Sequence, residues 1–123
     1  MKTILLVEDA PLNRDLIVQL LEDYFHILEA TDGLEGIASA QQHQPDLIIM
    51  DLSLPRLDGW QAIKRLKANA KTRHIPIIAL TAHAMIGDKE RGMALGCDDY
   101  LTKPIDERQF FRAIKKLFPD QSF

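Results

Sequence analysis

The feature that most constrains this chain is a run of apolar residues that ends in a carboxylate, from Leu47 to Asp51. Four consecutive apolar residues are typical of a strand that is buried on both faces of a parallel sheet. An aspartate at the carboxyl end of such a strand would lie where open α/β sheets bind their ligands. Taken alone, Asp51 is better explained as a turn or helix-capping residue, so the rest of the chain has to decide.

Similar short runs recur along the chain and predict four more strands. They cover residues 3–7, 26–30, 75–80 and 100–102. Polar residues follow three of them: Glu8 and Asp9 after the first, Thr81 after the fourth strand of the chain, and Lys103 after the fifth. The run over 26–30 is less apolar than the others, which indicates a strand nearer an edge of the sheet.

Helical patterns separate these strands. Asp32 with Glu35, and Asp106 with Gln109, have the spacing of a capping box. Apolar residues at helical spacing, including Leu12 and Leu16, follow a proline that suits a first helical turn. Five helices are predicted, beginning near Pro11, Asp32, Asp58, Asp88 and Asp106.

The strict alternation of five strands and five helices predicts an α/β fold with a parallel sheet and helices on both faces. Right-handed crossovers leave few topologies. At 123 residues, we expect the flavodoxin-like (βα)5 arrangement, with strands in the order 2-1-3-4-5. No linker or internal repeat interrupts the pattern, so we expect a single domain over residues 1–123.

Composition narrows the function. The net charge is −3 and the chain has no basic arm, which argues against direct nucleic-acid binding. Cys97 is the only cysteine, so no internal disulfide can form and a reducing compartment is expected. No apolar run approaches the roughly 20 residues that span a bilayer. We therefore expect a cytoplasmic protein that does not associate with membranes.

The predicted strand order brings the polar strand ends to one edge of the sheet. Glu8 and Asp9 would lie beside Asp51, with Thr81 and Lys103 farther along the same edge. Three neighbouring carboxylates repel one another unless a cation or proton intervenes, and hard oxygen ligands favour Mg²⁺. With a lysine and a hydroxyl available to hold phosphoryl oxygens, the site suits phosphoryl transfer to a carboxylate.

The same residues carry a family resemblance that covers essentially the whole chain. The pattern resembles the receiver domain of two-component response regulators in four segments: Val7-Glu8-Asp9, Met50-Asp51-Leu52-x-Leu54-Pro55-x-Leu57-Asp58-Gly59, Leu80-Thr81-Ala82, and Tyr100-Leu101-x-Lys103-Pro104. Residues 81–88 further resemble receivers of hybrid sensor kinases and of stand-alone cell-cycle-type regulators. We expect a stand-alone regulator without an effector domain, with the receiver of a larger hybrid kinase as the alternative.

The resemblance implies a role for each site residue. Asp51 would accept a phosphoryl group from a histidine kinase or phosphotransfer protein. Lys103 would contact that group, and its bond to Pro104 would be cis. Thr81 and Tyr100 would act as switch residues. Together with the backbone carbonyl of Ser53, the Mg²⁺ ligands would be the carboxylates of Glu8, Asp9 and Asp51.

The resemblance also implies a signalling domain rather than an enzyme, with no organic cofactor. A downstream protein would bind the surface formed by the fourth helix, fifth strand and fifth helix, and the domain would be a monomer or a phosphorylation-dependent dimer. Ser53 and His83 lie at positions that would affect the phosphoryl lifetime. Ala10 stands where many relatives carry a polar residue that bonds the loop.

Two other functions fit the fold class. A Mg²⁺-dependent phosphatase with an aspartyl nucleophile would need a general acid two residues after Asp51, where this chain has Ser53. A flavin-binding electron carrier would need a phosphate loop after the first strand. The acids Glu8 and Asp9 at that place would repel phosphate in the absence of a metal.

Overall fold

Strands and helices alternate along the chain, as the sequence pattern predicts. A computed structural model describes residues 1–82 and 85–123. The elements, in chain order, are β1 (Thr3–Val7), α1 (Pro11–Leu21), β2 (His26–Ala30), α2 (Gly33–His43), β3 (Leu47–Asp51), α3 (Gly59–Ala68), β4 (Ile77–Thr81), α4 (Asp88–Leu95), β5 (Asp99–Thr102) and α5 (Glu107–Leu117).

The five strands form one parallel sheet in the order β2-β1-β3-β4-β5. This confirms the predicted topology and places β2 at an edge. The register aligns the carboxyl ends of neighbouring strands, because Val7 lies beside Met50 and Thr81 lies beside Thr102. The polar residues at these strand ends therefore share one edge of the sheet.

Two apolar layers cover the faces of the sheet. Successive strand residues alternate between them, so that Leu5 and Ile48 lie in one layer while Leu6 and Ile49 lie in the other. Side chains of α2 and α3 complete the first layer, and side chains of α1 and α5 complete the second. Burial on both faces explains why the central strands read as continuous apolar runs.

Aspartates cap three of the helices. Asp32 accepts a hydrogen bond from the backbone N–H of Glu35 at 2.8 Å, and Asp106 accepts one from Gln109 at 3.1 Å. These contacts confirm the N-terminal half of both predicted capping boxes. At α1 the capping position is Ala10, whose side chain makes no capping hydrogen bond.

Two details differ from the sequence-based expectations. Strand β4 begins at Ile77 rather than Ile75, because Pro76 lacks the N–H that a ladder needs, although Ile75 is buried in the core. Leu12 and Leu16 lie at helical spacing but are 84% and 45% exposed. Within the described residues, no helix is long and apolar enough to cross a membrane.

Candidate functional site

Three carboxylates meet at the carboxyl ends of β1 and β3. One oxygen from each of Glu8, Asp9 and Asp51 lies within 4.8 Å of the others. Glu8 is fully buried and Asp51 is 3% exposed, whereas Asp9 faces solvent. The two strands are direct neighbours in the sheet, so the fold itself forces these like charges together.

Lys103 supplies a positive charge to this cluster. Its Nζ atom lies 2.6 Å from Oε1 of Glu8 and 3.3 Å from Oδ2 of Asp51. The lysine follows β5, and its backbone N–H donates to the carbonyl of Thr81 at 2.7 Å, which fixes the start of the side chain. The peptide bond between Lys103 and Pro104 is cis, as the resemblance implies.

The environment shifts the acid–base equilibria of this pair. Burial, reinforced by the neighbouring Asp51, raises the pKa of Glu8 above its usual value, although Lys103 opposes the shift. Burial alone would lower the pKa of Lys103, but the carboxylates of Glu8 and Asp51 outweigh it, so the pKa of Lys103 is raised. The lysine therefore stays charged, while the acids carry an electrostatic cost that a further cation would relieve.

The loop after β3 is arranged around Asp51. The backbone N–H of Ser53 donates to Oδ1 of Asp51 at 3.2 Å. Gly59, the first residue of α3, packs so closely against the backbone carbonyl of Asp51 that a Cβ atom there would overlap it. Glycine is therefore required at position 59 for a steric reason, since only glycine lets α3 begin directly beside the end of β3.

Thr81 and Tyr100 flank this edge but lie in different surroundings. Thr81 is buried at the end of β4, close to the acids in the sheet order. Tyr100 is 8% exposed and packs into the layer that contains α2 and α3, with its ring against Gly92 of α4. Burial raises the pKa of Tyr100, and Asp88 adds to this rise. His83 lies outside the described residues.

A surface cavity of about 400 Å³ lies next to Tyr100. It is bounded by residues of α4, β5 and α5, including Glu90, Leu101 and Arg112. Because Tyr100 belongs both to the core layer and to the wall of this cavity, a change in its position would alter both.

Two arginine contacts near the site are not apparent from the sequence. Arg14 of α1 donates to the backbone carbonyl of Glu8 at 3.2 Å and pairs with Glu29 at 3.2 Å. Arg56 pairs with Asp32. The position of Arg14, one turn into α1, could have suggested a contact with the preceding loop. Nothing local marks Arg56 and Asp32 as partners, because they are 24 positions apart.

The donor set fits a hard divalent cation. It consists of carboxylate oxygens in a partly buried cluster, to which no histidine or cysteine of residues 1–82 and 85–123 belongs. His26, His43 and His74 are exposed, and Cys97 is buried, with a pKa raised by burial to about 11, so it is not a reactive thiolate at neutral pH. Oxygen ligands of this kind favour Mg²⁺ or Ca²⁺ over softer metals.

Comparison with known proteins agrees with this geometry. A sequence profile of the family described as the response regulator receiver domain matches residues 4–115. The polar-differentiation response regulator DivK of Brucella anthropi is 42% identical over 120 residues, which are 97% of this chain and 98% of DivK.

Two solved structures of related proteins have a similar fold. The receiver domain of a sensor histidine kinase from Pseudomonas aeruginosa PAO1 has a TM-score of 0.87 at 37% identity, covers 97% of this chain and 98% of its own, and was crystallised with a magnesium ion coordinated in its active site cleft. The Vibrio cholerae chemotaxis protein CheY4 has a TM-score of 0.87 at 27% identity and covers 95% of this chain and 98% of its own.

Proposed function

The chain belongs to the response regulator receiver domain family, and from that premise we propose which residue does what. Receiver domains of this family are the signalling domains of two-component systems. The proposed phosphoacceptor is Asp51. The observation that carries the assignment is its position: a buried carboxylate at the end of the central strand, beside two further acids and 3.3 Å from a lysine.

The proposed reaction transfers a phosphoryl group from a phosphohistidine of a kinase or phosphotransfer protein. An oxygen of Asp51 forms a bond to phosphorus, and the bond between phosphorus and the histidine nitrogen breaks, with its electron pair leaving on the imidazole. Lys103 lies close enough to Asp51 to neutralise charge on the phosphoryl oxygens. Forming the acyl phosphate would free Lys103 to exchange part of its contact with Glu8 for the new group.

The ligands of Mg²⁺ would be Glu8, Asp9, Asp51 and the backbone carbonyl of Ser53. The cation would supply positive charge at the oxygens where negative charge develops. Support comes from the three carboxylates within 4.8 Å and from the magnesium ion in the related Pseudomonas domain. The raised pKa of Glu8 is consistent with a site that is short of positive charge.

Thr81 and Tyr100 would pass the change to a partner surface. The phosphoryl group on Asp51 would attract the hydroxyl of Thr81, and Tyr100 would repack behind it. Tyr100 lines the cavity between α4, β5 and α5, so its movement would reshape that face for a downstream protein. The output is then a change in binding rather than turnover of a substrate, as expected for a signalling domain.

The experiment is intact-protein mass spectrometry after incubation with acetyl phosphate. We expect a gain of one phosphoryl group that requires Mg²⁺ and is absent in Asp51→Asn. The control is Asp15→Asn, which removes an exposed carboxylate of α1 and should not affect the gain. A gain that persists in Asp51→Asn would reject Asp51 as the acceptor.

A short-lived acyl phosphate could escape detection by mass. Beryllofluoride, a stable mimic of the phosphoryl group, covers this case. NMR signals of Thr81 and Tyr100 should shift when it binds in the presence of Mg²⁺. If neither reagent changes the protein, the proposed function is wrong.

A further inference from the structure

The loop that would supply the fourth metal ligand is attached to a neighbouring helix by an ion pair. Residues 52–58 join β3 to α3 and include Ser53, whose carbonyl belongs to the proposed Mg²⁺ ligands. In the middle of this loop, Arg56 donates from Nη2 and Nε to the same oxygen of Asp32, Oδ2, at 2.6 and 2.9 Å. Asp32 is the capping residue of α2, and its other oxygen accepts the N–H of Glu35.

The two partners differ in exposure, which identifies Asp32 as the fixed side of the pair. The Asp32 side chain is 9% exposed, whereas that of Arg56 is 62% exposed. Both oxygens of Asp32 are engaged, one by its helix and one by the guanidinium. A carboxylate that is held at a helix N-terminus in this way can fix the position of a loop residue that bonds to it.

The loop backbone needs such an anchor. Arg56 has a φ of 61°, a left-handed conformation that side-chain-bearing residues seldom adopt. Directly after it, the carbonyl of Leu57 packs so closely on Gly33 of α2 that a Cβ atom there would overlap it. The loop is thus pressed against the start of α2 at two adjacent residues, one through an ion pair and one through backbone packing.

We propose that the Arg56–Asp32 ion pair positions the phosphoacceptor loop for cation binding. Ser53 lies three residues before Arg56, and its N–H already contacts Asp51, so a displaced loop would lose both that contact and the carbonyl ligand. Arg56 is a positioning residue, since it pairs with Asp32 and acts on the clustered carboxylates and the cation only through the loop. This inference rests on the proposed function, because it concerns the same Mg²⁺ site.

The test compares Mg²⁺ dissociation constants measured by two-dimensional NMR titration of the full chain. The variants are Arg56→Met and Asp32→Asn, singly and combined. Asparagine keeps the capping oxygen at position 32 and removes the charge. We expect each single variant to bind Mg²⁺ about tenfold more weakly, the lower end of the effect that outer contacts of metal ligands typically have on metal affinity. The double variant should be no weaker than either single one.

The matched control is Arg65→Met, which removes an exposed arginine of α3 that forms no ion pair within the described part of the chain. It should bind Mg²⁺ as the wild type does. An equal loss in the control, additive losses in the double variant, or unchanged affinity in both single variants would each overturn the inference.

A further variant separates the ion pair from the backbone strain. Glycine adopts the conformation of residue 56 readily, so Arg56→Gly should keep its fold while binding Mg²⁺ as weakly as Arg56→Met. Exchange of the backbone amide hydrogens of Ser53, Leu54 and Leu57 should be faster in both variants. Wild-type affinity in Arg56→Gly would show that strain, not the ion pair, determines the site. If the wild type itself neither binds Mg²⁺ nor takes up a phosphoryl group, the proposed function fails, and that result is distinct from equal affinities among functional variants.

Discussion

Residues in the middle of a central strand and residues at its carboxyl end are equally buried, but burial affects the free energy of folding in opposite directions in the two regions. In β3, Ile49 is fully buried in one of the two apolar layers, and Asp51, two residues later, is 3% exposed beside another buried acid. Burial of Ile49 removes apolar surface from water and stabilises the fold. Burial of Asp51 and Glu8 removes charge from water, which costs free energy unless it is compensated.

The difference shows how this fold separates stability from chemistry. The apolar layers of the central strands provide the stabilising free energy, and the strand ends use part of it to hold carboxylates near one another. Lys103 compensates part of the cost, and the proposed cation would compensate more. Substitutions in the two regions should therefore respond differently to Mg²⁺, which makes the comparison testable.

The largest expected effect is in the strand interior. Ile49→Ala should lower the free energy of unfolding by about 3–4 kcal/mol, because it leaves a cavity in a filled apolar layer. Urea unfolding measures this loss, and Mg²⁺ should not change it. Leu12→Ala, at an exposed position, should cost less than about 0.5 kcal/mol. A loss at position 49 no larger than that control would break the comparison.

A smaller but Mg²⁺-dependent loss is expected at the strand ends. Lys103→Met should cost about 2–3 kcal/mol without Mg²⁺, because it leaves Glu8 and Asp51 without their counter-charge. Adding Mg²⁺ should recover part of this loss, which urea unfolding with and without the cation will reveal. Lys64→Met, on the exposed face of α3, is the control. Equal losses in both conditions would argue against a cation at this cluster.

A gain in stability, instead of a loss, is expected when the acid Glu8 is neutralised. Because the pKa of Glu8 is raised in the fold, its ionised form opposes folding, and stability declines as the pH rises from its ordinary value of 4.5 through the raised one. Because Asp51 still pairs with Lys103, Glu8→Gln should stabilise the protein at neutral pH without Mg²⁺ and should reduce the stabilisation by Mg²⁺. A variant less stable than the wild type without Mg²⁺ would contradict the assigned cost.

The smallest effect is expected at Asp32, an acid that is buried with compensation. The hydrogen bond from the N–H of Glu35 lowers the pKa of Asp32 below its ordinary value of 3.8. Burial opposes this shift, and the guanidinium of Arg56 adds to it. Its contribution to stability is complete above that value and is lost as the pH falls through the lowered one. The stability difference between wild type and Asp32→Asn, from urea unfolding, should shrink on acidification. A stability difference that grows on acidification would contradict the lowered pKa of Asp32.

The sequence predicts the fold well because strands that are buried on both faces have consecutive apolar residues. The apolar run from Leu47 leads directly to Asp51, and the alternation of strands and helices predicts a parallel sheet. The strand order 2-1-3-4-5 follows only when right-handed crossovers and the length of the chain are also considered. The meeting of these charged residues could be predicted because each lies at the carboxyl end of a strand or one to two residues after it: Glu8, Asp9, Asp51 and Lys103. Their separate roles, like the stand-alone arrangement and the oligomeric state, stay predictions.

Other contacts could not be read from the sequence. The pairing of Arg56 with Asp32 depends on a left-handed residue in an irregular loop, and arginine gives no signal for that conformation. Helical periodicity groups Leu12 and Leu16 with the inward residues of α1, yet no neighbouring element covers them in the described structure. Periodicity identifies a face, but the packing of distant segments decides whether the whole face is buried.

The ion pair between Glu8 and Lys103 joins residues that are 95 positions apart. During synthesis, the ribosome adds about 5–20 residues per second, so roughly 5–20 s separate the appearance of the two side chains. For all that time a nascent chain would hold its first acids without the lysine that completes the cluster. A chain that is unfinished or truncated before β5 would therefore lack the lysine of the proposed acceptor site.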